Sequence, residues 1–457
     1  MKLVLFSTNS NKYVPGIMNL SSLPTCFDQW EEVSSFYPDL KITLVMQLPG
    51  MFLLDIFEGK IKKSSKIDYV FIDENCDSAE EIANFITSLN PDVAFAVTYW
   101  AAPFDWLPIK DALITEILKK NGIKAFCHSA DSAFVCFDKF RMADFFGKNG
   151  FNCAKNVFVH HEMFFIHRSK NELKTNVYRE YVLQKIKELK FPVVVKDTTG
   201  LSSFGMDVCK TYNEVVHVLN SKKNNGDRLV EEFIEGDSFG AEIYGSSGNF
   251  AISPVLINSV NQFGLTSPKQ NVKLGPVLNS NFKIDELKKE LLRLAELLKF
   301  EGIAQVDLIF SNKKWYFVEV NSRISGMTQT IAASYGMSLY KFLIELILSM
   351  SKNEPFLENK NTNCKYVMNL KFPLLEKELM KKLASLPFVF CVNQIENKGA
   401  KQLREVGYLE VIFGNTKELS SLMQELDEIN ALFPNQMEKV FYENAKKLAK
   451  TISQKTF

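Results

Sequence analysis

The sequence predicts a multidomain protein that combines α/β and α+β architecture. Three observations carry this reading. The 457 residues amount to about three domains at roughly 150 residues each. Over residues 1–136 short apolar runs alternate with helical patterns, which marks an α/β domain with a mostly parallel sheet. The last hundred residues run through three strand patterns and then two helical ones, the order of a small α+β domain.

Within 1–136, strands are expected at 2–6, 42–46, 69–72, 93–97 and 124–127. Helical spacing covers 79–88 and 109–120, and Asn121-Gly122 ends the second helix as a C-cap. The middle region, 137–350, mixes hairpins with helices. Its clearest helix is 284–298, with Ile284, Leu287, Leu291, Ala295 and Leu298 on one face. The polar segment 352–363 contains Pro355 and reads as a linker or long loop. The third region, 364–457, offers strands at 366–372, 388–392 and 408–413, then helices at 417–432 and 436–452. No repeat and no low-complexity tract is present.

Composition narrows the function. Lys plus Arg is 54 against 53 for Asp plus Glu, a net charge of +1, so a basic nucleic-acid binder is not expected. Hydrophobic residues make up 46% and charged residues 23%, ordinary values for chains with large cores. The start, Met1-Lys2-Leu3-Val4-Leu5-Phe6, is too short an apolar run for a signal peptide. No run of about 18 apolar residues suggests a membrane span. The eight cysteines form no CxxC pair, so zinc-ribbon and redox-motif readings fail. Reduced, mostly buried cysteines and a cytoplasmic location are expected. His160 and His161 are adjacent, and neighbours on a strand point to opposite faces, so a shared metal ion is not expected.

Three stretches carry chemistry. In Pro192-Val-Val-Val-Lys196-Asp-Thr-Thr-Gly200-Leu-Ser202-Ser203-Phe-Gly205-Met206 an apolar strand ends in a lysine and enters a Gly/Ser/Thr loop. Gly200 and Gly205 allow backbone N–H groups close to a polyphosphate, and Lys196 adds a point charge. Met206-Asp207 replaces the Lys-Ser/Thr of a P-loop, so this is not a P-loop NTPase. Alone, the stretch also reads as an ordinary hairpin turn. In the second stretch, Glu231-Glu232-Phe233-Ile234-Glu235-Gly236, a strand runs into acidic residues. Such an edge can offer backbone groups and a carboxylate to an adenine, or be an acidic surface turn.

The third stretch is a hairpin, 302–310 and 315–321, around Ser311-Asn-Lys-Lys314. Its turn places Asp307 opposite Glu319 or within one residue of it. Directly opposed like charges repel, so a cation or a proton is required between them. Asn321 and Arg323 share the face of Glu319. Two carboxylates and an amide oxygen suit Mg²⁺, and Arg323 can clamp an anion. The surrounding strand holds Trp315, Tyr316, Phe317, Val318 and Val320. A carboxylate in so apolar a strand points to function.

Taken in order, Asp138-Lys139, Lys196 with its glycine loop, Glu231 to Gly236, Asp307 and Glu319-Val-Asn-Ser-Arg-Ile-Ser-Gly-Met327 resemble the ATP-grasp superfamily of carboxylate–amine ligases. The resemblance covers about 137–350 and is nearest to the L-amino acid ligase type. It implies a pre-ATP-grasp α/β domain at 1–136, an ATP-grasp fold at 137–350 and a C-terminal α+β domain at 364–457. It implies ATP and one or two Mg²⁺ ions as cofactors. Lys139 and Lys196 would contact phosphates, with Gly200, Ser202, Ser203 and Gly205 in the loop. Glu231 and Glu232 with Phe233 and Ile234 would meet the adenine. Asp307, Glu319 and Asn321 would hold metal, and Arg323 would steady the acyl phosphate. Ser238 stands where many members carry a ribose-binding glutamate. Asp237 is expected to take that contact, with Glu242 a further acidic position.

The implied reaction activates a carboxylate with ATP and passes the acyl group to an amine, with small-molecule partners and a homodimer as the expected assembly. The glycine loop 198–206 and the stretch 258–277, with Lys269 and Lys273, are candidate lids. Lys269 and Lys273 read either as contacts for a substrate carboxylate or as surface lysines. The alternatives are a bicarbonate-using carboxylase or carbamoyl-phosphate type enzyme, and a non-catalytic ATP-binding scaffold.

Overall fold

A computed structural model describes residues 1–8, 17–48, 50, 52–73, 75–99, 106–166, 175–200, 205–221, 224–261, 264–265, 271–357, 364–399, 407–434 and 436–453. Five parallel strands open the chain. Their spatial order is Ile67–Phe71, Lys41–Met46, Lys2–Ser7, Val93–Ala96 and Lys124–Phe126. The run Leu3-Val4-Leu5-Phe6 is wholly buried because both sheet faces are covered, as a parallel sheet requires. Leu3 and Leu5 join one core, and Val4 and Phe6 join another with Ile82, Ile86, Ile114 and Leu118.

Residues 156–232 supply a four-stranded sheet in the order Asp207–Cys209, Val193–Asp197, Arg228–Glu232, Asn156–Val159. The helices Val177–Lys187 and Tyr212–Asn220 contribute Val182, Ile186, Val215 and Leu219 to its core.

The third sheet has twelve strands. It begins with the hairpin Lys314–Asn321 and Gly302–Ser311, passes through Asp237–Ser246, Leu256–Asn258 and Lys273–Gly275, and continues without a break into Tyr366–Phe372 and Gly407–Thr416. Val389–Asn397 follows, and then Met18–Leu23 from the front of the chain, with Leu20 opposite Ile395. One hydrophobic core runs under much of this sheet and includes both Leu291 of helix Ile284–Leu297 and Leu426 of helix Leu419–Leu432. Lys273 pairs with Asn369, and Lys371 with Glu410. Residues far apart in the chain thereby stand side by side on one sheet. Among the described residues no single helix is long and apolar enough to cross a membrane. One bent helix pair, Thr328–Ser334 with Leu339–Lys352, passes by length and composition only.

Candidate active site

A cleft of about 270 Å³ is lined by residues of the four-stranded sheet, the hairpin and the C-terminal strands, among them Lys139, Lys196, Asp307, Glu319, Arg323 and Glu410. The hairpin register sets its chemistry. Asp307 lies opposite Glu319, and a bulge between Asp307 and Leu308 shifts the pairing beyond it. Burial, and then the Glu319 charge, push the Asp307 carboxyl up to about 7. Gln305 Nε2 donates to Asp307 Oδ1 at 2.7 Å, and Asn321 Nδ2 reaches Asp307 Oδ2 at 3.5 Å. Arg323 Nη2 donates to Asn321 Oδ1 at 3.1 Å, and Nη1 to the Ile324 carbonyl at 3.2 Å.

At the other end, Lys139 Nζ donates to the Gly200 carbonyl at 2.5 Å and lies 3.4 Å from Glu319 Oε1. Lys196 is buried and pairs with Glu231 Oε1 at 2.5 Å. Gly200 has φ of +125° and Gly205 of +71°, backbone conformations that favour glycine. Asp197, at the end of the strand that enters this loop, forms an ion pair with Arg228. Ser202, Ser203 and Lys269 lie outside the described residues.

A second pocket of about 80 Å³ holds Glu231, Glu232, Phe233 and Ile234 against Phe317 and Val318. It shares Met206, Ile309 and Val318 with the cleft, so the two are contiguous. Its shape and apolar walls suit a flat ring beside a polar edge. Phe233 donates its N–H to the Pro192 carbonyl at 3.0 Å. Glu232 accepts from the Lys190 N–H at 2.9 Å.

Two expectations need correction. Strand alternation puts Gly236 and Ser238 on the cleft wall and turns the exposed Asp237 to the other face. Asp237 is therefore not placed to replace the missing ribose-binding glutamate. Glu242 is completely buried and does not line the cleft. It accepts hydrogen bonds from Tyr244 (2.5 Å), Ser325 (2.6 Å) and Thr328 (2.7 Å). Burial pushes it up to about 7 even though all three bonds favour the charged form. Its position ties strand Asp237–Ser246 to the segment that follows Arg323.

The sequence reading missed the wall contributed by the C-terminal strands. Lys371 and Glu410 are buried and form an ion pair, and Lys371 lies 4.6 Å from the centre of the Tyr408 ring. Burial opposes both charges, yet Lys371 and then Lys273 hold Glu410 below its ordinary value, and Glu410 holds Lys371 above its own. Lys273, one of the two lysines flagged in 258–277, stands beside this pair. Burial and the Lys371 charge bring it down to about 8.

The donor set fits a hard cation. Among the described residues no three His, Cys, Asp or Glu side chains gather as a metal-binding group. Two opposed carboxylates beside an amide are nonetheless what Mg²⁺ takes from a protein when phosphates complete its shell.

Comparison with known proteins agrees with this geometry. The ATP-grasp domain family matches residues 136–327. The D-alanine–D-alanine ligase of Buchnera aphidicola is 26% identical over 193 residues, which is 40% of this chain and 61% of that ligase. The match thus takes in less than two thirds of that relative. Among solved structures, the biotin carboxylase domain of Hydrogenobacter thermophilus 2-oxoglutarate carboxylase superposes with a TM-score of 0.60 at 12% identity, covering 99% of this chain and 94% of that one. The L-amino acid ligase of Bacillus licheniformis gives 0.59 at 17% identity, covering 93% and 97%. At such identities the structures speak for the fold alone. Sequence pattern, fold and the disposition of the cleft agree on an ATP-grasp domain at residues 136–327 of this chain.

Proposed function

We propose that the protein is an ATP- and Mg²⁺-dependent ligase that activates a small-molecule carboxylate, an amino acid, as an acyl phosphate. It then couples the acyl group to an amine and releases ADP and phosphate. The observation that carries this reading is the Asp307–Glu319 pair, opposed in register with Lys139 3.4 Å from Glu319 and Arg323 on the same cleft wall. Adenine would occupy the pocket around Glu231 and Ile234. Asp307 and Glu319, with Asn321, would hold Mg²⁺, which neutralises charge on a transferring phosphoryl group. Lys139 and Lys196 would face the phosphates. Arg323 would meet the charge that develops on the acyl phosphate and on the tetrahedral state after it. No residue need form a covalent bond to substrate.

The experiment is ADP and phosphate release from Mg²⁺-ATP with amino acids singly and in pairs. Release confined to certain pairs and lost in Glu319→Ala supports the reading. ATP binding without release across the panel sinks it. A second reading is bicarbonate as the activated carboxylate. It is favoured by the likeness to a biotin carboxylase domain solved with MgADP and bicarbonate, and it requires release that depends on bicarbonate alone. That neighbour is described as a dimer. We propose a homodimer here too, to be checked by light scattering.

A further inference from the structure

The five-stranded parallel sheet ends at Lys124–Phe126 on one side and at Ile67–Phe71 on the other. The first of these edges is three residues long and leads into His128, whose Nε2 lies 2.6 Å from the Ile303 carbonyl of the long sheet. The second is longer and bare. Ile72, just past its end, donates its N–H to the Met46 carbonyl at 2.9 Å. Alternation along the strand therefore turns the N–H and C=O groups of Ile67, Tyr69 and Phe71 outward. The strand pairs with Lys41–Met46, and among the described residues none of these outward groups has a backbone partner. Tyr69 and Phe71 pack against one core, and Val70 and Ile72 against another, yet all four stay half-buried at the rim of the sheet. Such an apolar edge is a template for a further strand.

The charge pattern says which strand fits. Lys62, Lys63 and Lys66 precede Ile67, and Asp73, Glu74 and Asp77 follow Phe71. Between them Asp68 is the single charge. A strand that is basic at its start and acidic at its end complements a copy of itself running the other way. A copy running the same way would set like charges side by side. Within the chain Lys66 meets Glu31 and Asp77 meets Lys110. Lys63 is exposed, with its ammonium 4.5 Å from the centre of the Phe71 ring, and Asp73 is exposed at the far end. We propose that Ile67–Phe71 pairs antiparallel with the same strand of a second copy of this chain. The two sheets then become one of ten strands, five from each copy. A two-fold axis through Tyr69 sets Ile67 of each copy against Phe71 of the other and keeps the two Asp68 carboxylates apart. It also brings Lys66 beside Asp73 of the other copy. This rests on the homodimer reading above and gives that dimer its surface.

Light scattering on the intact chain is expected to give the mass of two chains. Asp73→Lys makes the strand basic at both ends, and the double change Lys63→Glu with Lys66→Glu turns its start acidic as well. Each variant alone should raise the dissociation constant of the dimer by about tenfold or more, because opposed like charges at an interface are costly. Mixed together, the two should form a heterodimer close to wild-type affinity, which also shows that both are folded. Amide exchange reads the pairing without any variant. The Tyr69 and Phe71 amides should be protected in concentrated protein and should exchange once the protein is diluted below its dissociation constant. A monomer at every concentration overturns this assignment and the homodimer reading together. A dimer that persists in both variants, with the Tyr69 and Phe71 amides exchanging freely, overturns the assignment and leaves the homodimer standing on another surface. Variants that dissociate alone and fail to associate when mixed overturn the antiparallel pairing.

Discussion

Asp307 owes its chemistry to three neighbours: Glu319 opposite, Gln305 at 2.7 Å and Asn321 at 3.5 Å. Arg323 reaches this group through Asn321 with a planar guanidinium that contacts two oxygens at once. A lysine there would keep the charge and lose the fork. Arg323→Lys is therefore expected to lower kcat of the ligase reaction by about a hundredfold, the scale seen when one preorganised donor is removed. Steady-state ADP release checks this, and an unaltered kcat would deny Arg323 its role. Gly205 has its own constraint. A Cβ at its φ of +71° would come within 2.5 Å of Asp197 Oδ2, which is paired with Arg228. Gly205→Ala should displace Asp197 and weaken ATP binding severalfold, read by calorimetry. An affinity equal to wild type would show that the loop tolerates the methyl group. At this scale the opposition of Asp307 and Glu319 was legible, because a short turn fixes a hairpin's register. The orientation of Asp237 was equally legible from the period of two, which groups Gly236, Ser238 and Gly240 on one face.

Glu242 shows how one element aims another. Three hydroxyls from Tyr244, Ser325 and Thr328 converge on it, and two of them belong to the segment that leads from Arg323 into helix Thr328–Ser334. Glu242→Ala would strand these donors in a buried site and should cost about 3 kcal/mol, measured by denaturant unfolding. Glu242→Gln keeps the acceptor oxygen and should fold. The folded-state carboxyl holds its proton up to about pH 7, against an ordinary value of 4.5. The unfolded chain releases that proton first, so this group's contribution to stability falls as pH rises between those values. Relative to the wild type, Glu242→Gln should thus grow more stable across that interval and level off above it. Parallel stability curves for the two proteins would refute the assignment. Element boundaries were readable where apolar spacing was strong. The helix expected at 284–298 is Ile284–Leu297, and that at 79–88 is Ala79–Ser88. Helix Cys26–Phe36 escaped notice although Thr25 and Asp28 form a capping box at its start, the signature that announces such a helix.

The long sheet makes the molecule cooperative. Strand Tyr366–Phe372 bonds directly to Lys273–Gly275, and Leu291 shares a core with Leu426 and Phe441. Removing residues 364–457 would uncover that core and an unpaired sheet edge. The truncated chain is expected to aggregate, and the intact chain to lose amide-exchange protection in Gly302–Ser311 and Gly407–Thr416 together. Separate loss, or a soluble and stable truncation, would contradict this. The same sheet explains the cleft wall that escaped the sequence reading. Nothing local in Lys371, Tyr408 or Glu410 signals that their strands will pair, through Tyr366–Phe372, with Lys273–Gly275. The pattern shows that each segment is a strand, and the partner is fixed only by how the whole core packs.

Met18–Leu23 enters that sheet from the opposite end of the chain, with Leu20 against Ile395 on one side and Ile56 on the other. On a ribosome Leu20 and Ile395 are separated by about 370 residues, roughly 20–70 s of synthesis at about 5–20 residues per second. Through that interval Leu20 has only the short strand Ile56–Phe57 to pair with, while the five-stranded parallel sheet beside it has all of its strands early on. The nascent protein therefore carries a strand paired along one edge, whose other edge is covered only once Val389–Asn397 has been made.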